Sequence, residues 1–348
     1  MHKSLLLTFI ILQSIPFSQS IINEKKLELI DGKWFKKNSQ NPFSGIVTDS
    51  NTYTQKKTLQ YQMVNGEKNG NYREWSTEGF LTMKGQYKNG FMQGKWKFWY
   101  ENRQLKGEGY YNNGDGGDIG STGIPRNGRV RIWNTWDGAG NKMEQIDYDQ
   151  EKLKSWYENG HLQYRGALND GFFEEWYDNS NKKSEGFWKD GKLNGLLKVW
   201  YENEEKAAEK SYKNGILNGF FHEWYKNGEV IQSGYYKDGN LHGKWTGWTE
   251  HEGTYFRWEE NYKDGILNGK WARWFENGDR WEECFYKDGK RHGKYTEWWK
   301  DEIKHIEGFY QEGKPEGKFM IWNPQGGKDY EEYWSDGVLI EKDYNIQD

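Results

Sequence analysis

The sequence has almost no cysteine, little proline and no long apolar run. Cys284 is the only cysteine among 348 residues, so the chain cannot form an intramolecular disulfide or a thiolate metal site. With five prolines, most of the chain is free to form strands. The one apolar run, residues 5–12, is too short to span a membrane.

The sequence also has no large excess of charge of one sign, and it has few aliphatic side chains. The net charge is -4 with well-mixed signs, which leaves no basic surface for nucleic acid and no polybasic segment for anionic lipid. A mean hydropathy of -1.17 would by itself indicate disorder. The 21 tryptophans and 24 tyrosines argue against disorder, because their rings carry a large area that folding can bury.

One motif dominates the chain and is clearest at residues 212–224, which read YKNGILNGFFHEW. The same frame returns at residues 87, 188, 236, 262 and 286. It closes on a tryptophan each time, and the last six of these are 24 residues apart except for one step of 26. A fixed period of this length predicts a repeat array. The closing tryptophans are Trp75, Trp99, Trp200, Trp224, Trp248, Trp274, Trp298 and Trp322.

Turn signals divide each repeat into two strands. Asn-Gly or Asp-Gly comes first, as at Asn89-Gly90 and Asp238-Gly239, and it suits the positive φ angles of a tight hairpin turn. A second glycine follows four residues later, as at Gly219, and reads as a second turn signal. A Glu-Asn-Gly cue follows the tryptophan. The short aromatic runs between these signals predict strands, so one repeat is a strand, a tight turn, a strand and a second turn.

Aromatic residues form three columns along the repeats. The first precedes the turn glycine by three residues, as at Tyr236; the second follows the second glycine by two, as at Phe221; and the third is the closing tryptophan, as at Trp224. We expect these rings to stack from repeat to repeat and form the core. The alternative is that one column stays exposed and binds sugar or lipid. The second and third columns are three residues apart, so they face opposite sides of a regular strand unless a bulge brings them together.

The frame Y-K-[DN]-G-x-x-x-G-x-[WFY]-x-x-W-[YF]-E-N-G resembles the MORN repeat family, in its longer bacterial variant often labelled antitoxin-like. The resemblance covers roughly residues 31–340. It implies an all-β fold, namely an elongated single-layer antiparallel array of about eleven to twelve β-hairpin repeats. It also implies a role in protein association or membrane attachment, without catalytic residues.

The order of segments predicts an exported chain with one repeat array. Lys3, the apolar run and Pro16 before Ser18-Gln19-Ser20 are typical of a signal peptide at residues 1–20. A degenerate first repeat is expected at residues 31–60, and the array should fill residues 21–340. Residues 112–127 are rich in Gly, Asp and Asn and predict an inserted loop on one edge. A polar tail is expected at residues 341–348.

No catalytic, cofactor or metal site is predicted. The acidic residues of the inserted loop lack the spacing of a calcium loop. His242 and His292 occupy a position that Asn194, Asn218 and Asn268 hold in other repeats, which indicates a polar turn role. Glutamates that recur every repeat are not a unique catalytic pair, and we find no hydrolase or metalloprotease motif.

These observations favour a non-catalytic exported scaffold that binds an unknown protein partner or attaches to the cell envelope. Two alternatives stay open: a glycan-binding envelope protein, and an antitoxin-like partner of a toxin, which the resemblance implies. Nucleic acid is not expected as a partner, and a membrane surface is possible without a transmembrane segment. The candidate binding residues are the best-kept part of the tryptophan column: Trp200, Trp224, Trp248, Trp274, Trp298 and Trp322.

Overall fold

The computed structural model describes residues 20–251 and 254–344, without the side chains of residues 251 and 254. The chain divides into two compact units, which meet in sequence between Gln150 and Glu151. Each unit is described by itself. The predicted signal peptide lies outside the described residues, apart from Ser20.

The first unit contains eleven strands among its described residues. Strands β4 to β11 pair antiparallel in chain order, β1 pairs parallel with β4, and β2 and β3 form a separate hairpin. The strands are β1 Ile21–Asn23, β2 Leu27–Ile30, β3 Lys33–Lys36, β4 Gly45–Ser50, β5 Lys57–Val64, β6 Glu67–Trp75, β7 Leu81–Lys88, β8 Phe91–Trp99, β9 Leu105–Gly114, β10 Arg129–Trp136 and β11 Lys142–Asp147, with a 3-10 turn at Glu24–Lys26.

The second unit continues the same pattern. Neighbours in chain order pair antiparallel, and the two-residue strands β16 and β27 lie just before β17 and β28. The strands are β12 Lys152–Trp156, β13 Leu162–Ala167, β14 Gly171–Trp176, β15 Lys182–Lys189, β16 Lys192–Leu193, β17 Gly195–Trp200, β18 Lys206–Lys213, β19 Ile216–Trp224, β20 Val230–Lys237, β21 Asn240–His251, β22 Thr254–Lys263, β23 Ile266–Phe275, β24 Arg280–Lys287, β25 Lys290–Trp298, β26 Lys304–Gln311, β27 Lys314–Pro315, β28 Gly317–Trp322, β29 Lys328–Ser335 and β30 Val338–Asp343, with a 3-10 turn at Lys300–Glu302.

Both units therefore confirm the predicted all-β array of antiparallel β-hairpin repeats. The tight turns have the predicted geometry, because both central residues have positive φ: 52° and 82° at Asn214-Gly215, and 48° and 84° at Asp238-Gly239. These are the angles that let a two-residue turn follow the twist of its strands. That residues 21–340 form one elongated array stays a prediction.

The second glycine of the repeat is a bulge and not a turn. Gly219 lies inside β19 with φ 119°, and the pairing jumps there from Lys210↔Phe221 to Tyr212↔Leu217. A positive φ places extra residues in one strand without ending the ladder. The second turn of each repeat instead follows the closing tryptophan, as where the Tyr225 amide donates to the Glu229 carbonyl at 2.8 Å.

One face of each sheet carries a ladder of rings, which we call the inner face. Ring centroids of Tyr236 and Trp245 lie 5.0 Å apart, and those of Phe221 and Tyr236 lie 5.4 Å apart. The second-column rings are buried, with exposures of 0% to 8%. The predicted core role is confirmed for the second column, against which first-column rings such as Tyr236 pack. It is wrong for the closing tryptophans, which lie on the other face of the sheet. The buried second-column rings are Tyr72, Trp96, Phe221, Trp245, Trp271, Tyr295 and Phe319.

Glycines without positive φ lie directly beneath several of these rings. A Cβ on Gly85 would lie 2.0 Å from Trp96, and one on Gly234 would lie 2.2 Å from Trp245. Each glycine precedes a first-column ring by two residues, as at Gly234 and Tyr236. The ring of the next strand therefore lies flat against bare backbone, which is how one sheet forms a close-packed core.

The inserted loop folds onto the core of the first unit instead of extending from an edge. It runs from residue 115 to 128, since β9 continues through Gly114. Ile124 is fully buried, and its side chain fills the space above Gly107. Arg129 Nη2 donates to the Ile124 carbonyl at 3.0 Å. The loop is polar in composition, but one apolar side chain fixes it over the ring ladder.

The tail begins later than predicted. Glu341, Lys342 and Asp343 belong to β30 and pair with Tyr333, Glu332 and Glu331. An ion pair between Lys342 and Glu332 at 3.5 Å accompanies this backbone pairing. Residues 345–348 lie outside the described part of the chain.

A half-buried lysine joins three tyrosines near the start of the first unit. The Lys68 ammonium lies 4.9, 5.2 and 5.2 Å from the ring centroids of Tyr61, Tyr72 and Tyr87. Burial lowers the pKa of Lys68. Burial and then the nearby Glu74 raise the pKa of Tyr87 to about 12. The cluster is a cation–π site whose phenols are held neutral.

We predict that Gly85→Ala destabilises the first unit, because the new Cβ would lie 2.0 Å from Trp96. Overpacking of this kind costs about 1–3 kcal/mol. Urea unfolding followed by tryptophan fluorescence measures the loss. Gly138→Ala is the matched control, since no atom lies within 4 Å of its added Cβ. Equal unfolding midpoints for the two variants would contradict the packing role of Gly85.

We also predict that stability falls as pH rises from 10 to 12. Tyr87 ionises near 10 when unfolded but only near 12 when folded, so its contribution is complete below pH 10 and is lost by about pH 12. The lowered pKa of Lys68 acts in the opposite direction, but its effect is complete near the usual lysine pKa of 10.5. In Tyr87→Phe, the decline with pH should be shallower by up to about 1.4 kcal/mol per pH unit. Parallel curves for the two proteins would show that Tyr87 is not responsible.

Candidate functional site

The opposite face, the outer face, carries the tryptophan column. Side chains alternate along a strand, so Phe220, His222 and Trp224 share this face while Phe221 lies on the inner one. The rings of His222 and Trp224 lie 5.6 Å apart. The register does shift between Glu223 and Trp224, but this bulge leaves the tryptophan on the outer face. Both faces of the sheet therefore carry rings.

A cation lies over most rings of the tryptophan column. In five repeats it comes from the residue 18 positions earlier, and its distance from the ring centroid is between 4.5 and 5.9 Å. The five pairs are Lys57 with Trp75, Lys182 with Trp200, Lys206 with Trp224, Arg280 with Trp298 and Lys304 with Trp322. In the extended hairpin, Arg257 takes this place over Trp274 at 4.5 Å.

Three of the covering lysines form ion pairs with carboxylates three residues further on, and Lys57 donates to the Gln60 amide oxygen at 2.9 Å. Lys182 pairs with Glu185 at 2.8 Å, Lys206 with Glu209 at 2.8 Å and Lys304 with Glu307 at 2.7 Å. Ring, cation and carboxylate thus form a small repeated unit on the outer face. Such cation–π pairs stabilise exposed sites by about 0.5–1 kcal/mol.

The six predicted binding tryptophans are therefore not equally accessible. Trp248 is 37% exposed and Trp298 only 6% exposed, while Trp200, Trp224, Trp274 and Trp322 are half-buried. The sheet brings all six onto one face, but their own cations cover most of them. Binding by this column stays a prediction.

A second set of side chains on the same face, four rings and one leucine, is more exposed and was not predicted from the sequence. Phe172 pairs across the strands with Phe187, Leu196 with Ser211, and Phe220 with Tyr235. We call Phe172, Phe187, Leu196, Phe220 and Tyr235 the outer row; they are exposed by 44%, 52%, 44%, 66% and 38%. Ring doublets such as Phe220-Phe221 could have revealed it, because neighbouring residues in a strand face opposite sides.

Beyond β20, lysines occupy some of the positions that continue the outer row. Lys270 pairs across the strands with Phe285, Lys294 with Phe309, and Lys318 with Tyr333. Each of these lysines also contacts a glutamate, at 2.8, 3.0 and 2.5 Å. The apolar part of the row therefore lies between β14 and β20, and ion pairs interrupt it beyond that point.

The Cys284 thiol and the His242 imidazole are the types of group that carry reactive chemistry, but both have structural environments. Cys284 is buried, and burial raises the pKa of its thiol to about 12, which disfavours a reactive thiolate. His242 accepts from the Asp264 amide at 3.5 Å, and Asn218 donates to Asp238 at 2.8 Å, in agreement with the predicted turn role. Across residues 20–251 and 254–344, no three His, Cys, Asp or Glu side chains are grouped to hold a metal ion. Within the same residues, no helix is long and apolar enough to cross a membrane.

No protein-family model matches the sequence. No curated protein matches it either. Among solved structures, TcdB2-TccC3-Cdc42 matches with 9% identity over 84% of this chain and 18% of that chain, at a TM-score of 0.16. TcdB2-TccC3 matches with 10% identity over 92% of this chain and 20% of that one, at a TM-score of 0.15. The chain thus spans about a fifth of these much longer chains, and no family is identified.

We predict that Trp298→Ala costs far more stability than Trp248→Ala. A tryptophan exposed by 6% loses most of its packing, at a cost of about 3–5 kcal/mol. Trp248, exposed by 37%, should cost less than half as much. Chemical unfolding of the two variants makes the comparison, and equal losses would contradict the placement of these rings.

Proposed function

We propose that this chain is a non-catalytic binding scaffold that docks a protein partner on the outer row of its second unit. The observation that carries this proposal is the row itself. Five large side chains project from the same face of neighbouring strands, with Ser211 between Leu196 and Phe220, and they are exposed by 38% to 66%. An exposed apolar patch of this kind is typical of interaction sites.

The arrangement of the row suits a protein surface. Its five members stand on β14, β15, β17, β19 and β20, and β18 between them contributes Ser211. Six paired strands at about 4.8 Å per strand give the row a length of about 24 Å. The rings are in contact in pairs: Phe172 with Phe187 at 5.9 Å and Phe220 with Tyr235 at 5.7 Å. Rigid aromatic anchors lose little side-chain entropy on binding, which is why they dominate protein interfaces.

The resemblance to MORN repeats supports the same role, since it implies protein association. Export through residues 1–20 would place the partner at the cell envelope or outside the cell. The antitoxin-like role stays a prediction that follows from the resemblance alone.

Glycan binding is a second candidate, favoured by a groove on the inner face of the second unit. The groove measures about 410 Å³ and is walled by the rings of Tyr236, Trp245, Trp258 and Tyr262. Arg273 also lines it, and the Nε of this guanidinium has no hydrogen-bond partner among the described residues. Rings beside an unsatisfied donor are suited to a sugar face and its hydroxyl oxygens.

We predict that a photo-reactive residue at position 220 captures one protein from envelope extract. Phe187→Ser, introduced into that probe-bearing chain, should reduce capture at least tenfold, because it removes another exposed apolar anchor of the outer row. The matched control is Ile132→Ser in the same chain, which removes a 45%-exposed apolar residue of the first unit. Capture that survives Phe187→Ser, or that Ile132→Ser abolishes equally, would contradict docking on the outer row.

For the glycan candidate, Trp258→Ala should abolish retention on isolated cell-wall glycan, because it removes one ring of the groove. Retention that is unchanged in this variant would remove the groove from consideration.

A further inference from the structure

One tryptophan of the outer face lacks the cation that its neighbours have. The residue 18 positions before Trp248 is Val230, where Lys206 precedes Trp224 and Lys182 precedes Trp200. The carboxylate partner changes too, because Ser233 stands where Glu209 holds Lys206 in the previous repeat. Among the described side chains, no lysine or arginine lies over the Trp248 ring. The ring is 37% exposed.

The uncovered ring lines a cleft beside the extended hairpin of β21 and β22. Strands β21 and β22 pair without a bulge from Gly243↔Tyr262 to His251↔Thr254, so this hairpin extends beyond its neighbours. It places Tyr255 opposite the turn that contains Tyr225 and Glu229. The resulting cleft has a volume of about 650 Å³ and is lined by Tyr225, Gly228, Glu229, Val230, Trp248, Tyr255 and Glu276.

The rings of the cleft are free to contact a ligand. Tyr225 and Tyr255 are exposed by 40% and 42%. None of the three rings stacks on another within the described part of the chain. In earlier repeats the tyrosine at the place of Tyr225 donates to the next tryptophan's carbonyl, as Tyr201 does to Trp224 at 2.8 Å. Tyr225 makes no such bond among the described residues.

The cleft carries excess negative charge. Glu229 and Glu276 line it, and Glu250 lies beside Tyr255, where its charge raises the pKa of the Tyr255 phenol. Among the side chains that the structure describes, none of these three glutamates forms an ion pair. Arg257 pairs directly across the strands with Trp248, but its guanidinium lies over the Trp274 ring at 4.5 Å. Glu229 accepts a hydrogen bond from the Asn227 side chain at 2.8 Å, but this donor is neutral and leaves the carboxylate charge in place. Aromatic rings beside carboxylates without a cation form the type of site that binds organic cations.

We propose that this cleft binds a lysine side chain of a partner protein, with the ammonium over Trp248 in the position that Lys206 holds over Trp224. The protein itself supplies the template for the contact. In the neighbouring repeat, the Lys206 ammonium lies 5.8 Å from the Trp224 centroid and 2.8 Å from Glu209. At Trp248, Glu229 and Glu276 replace that carboxylate. That the lysine belongs to a partner protein rests on the proposed function, whereas the binding of a lysine ammonium by this cleft does not.

The direct test uses a blocked peptide, Gly-Gly-Lys-Gly-Gly, and the same peptide with norleucine in place of lysine. The purified mature chain carries isotope-labelled tryptophan, and the Trp248 indole signal is identified by its absence in Trp248→Phe. We expect that the lysine peptide shifts this signal in a saturable manner and binds at least about tenfold more tightly than the norleucine peptide, since loss of the charge removes both the cation–π and the carboxylate contacts.

A second variant fills the site from within. Val230→Lys should place an ammonium over Trp248, as in the other repeats, and weaken peptide binding at least about tenfold. Val338→Lys adds the same charge at another exposed first residue of a strand and should leave binding unchanged. Equal affinity for the two peptides, or equal loss in both lysine variants, would overturn the proposal. This result would not depend on capture at position 220, so the two proposals can fail separately.

Discussion

A sheet without a second layer must form its core from its own side chains, and this constraint explains most of the structure. Large rings meet this need because each can reach the ring on the next strand, as Tyr236 reaches both Phe221 and Trp245. Glycine beneath a ring, as at Gly234, lets it lie against the backbone. A composition rich in tryptophan, tyrosine and glycine and poor in aliphatic residues follows directly.

The outer face meets the opposite requirement, because it must carry rings without becoming insoluble. Cations cover the tryptophan column, and ion pairs interrupt the far part of the outer row. Two places depart from this pattern. The apolar part of the row has no such charges, and Trp248 has Val230 where a lysine is expected. These two places point to binding, because a repeat that only stabilises the fold does not need to leave rings without a covering cation or ion pair.

Features that recur in every repeat could be predicted from the sequence, but features that depend on the geometry of neighbouring strands could not. The period, the Asn-Gly and Asp-Gly turns and the inner columns could be predicted because each follows from local chemistry. The bulge at Gly219 could not, since a positive φ suits a turn and a bulge alike. The loop at 115–128 has a polar composition, but the buried side chain of Ile124 packs it against the core. Trp248 looked like its neighbours, because exposure depends on residue 230 of the adjacent strand.

The central claim is that ring doublets are divided between a packed inner face and an open outer face. Hydroxyl-radical footprinting of the purified chain, read residue by residue by mass spectrometry, tests this claim directly at Phe220-Phe221 and Tyr235-Tyr236. Phe220 and Phe221 are exposed by 66% and 6%. We therefore predict that Phe220 is oxidised many times faster than Phe221, and that Tyr235 is oxidised faster than Tyr236. Equal rates within each doublet would contradict the assignment of the two faces.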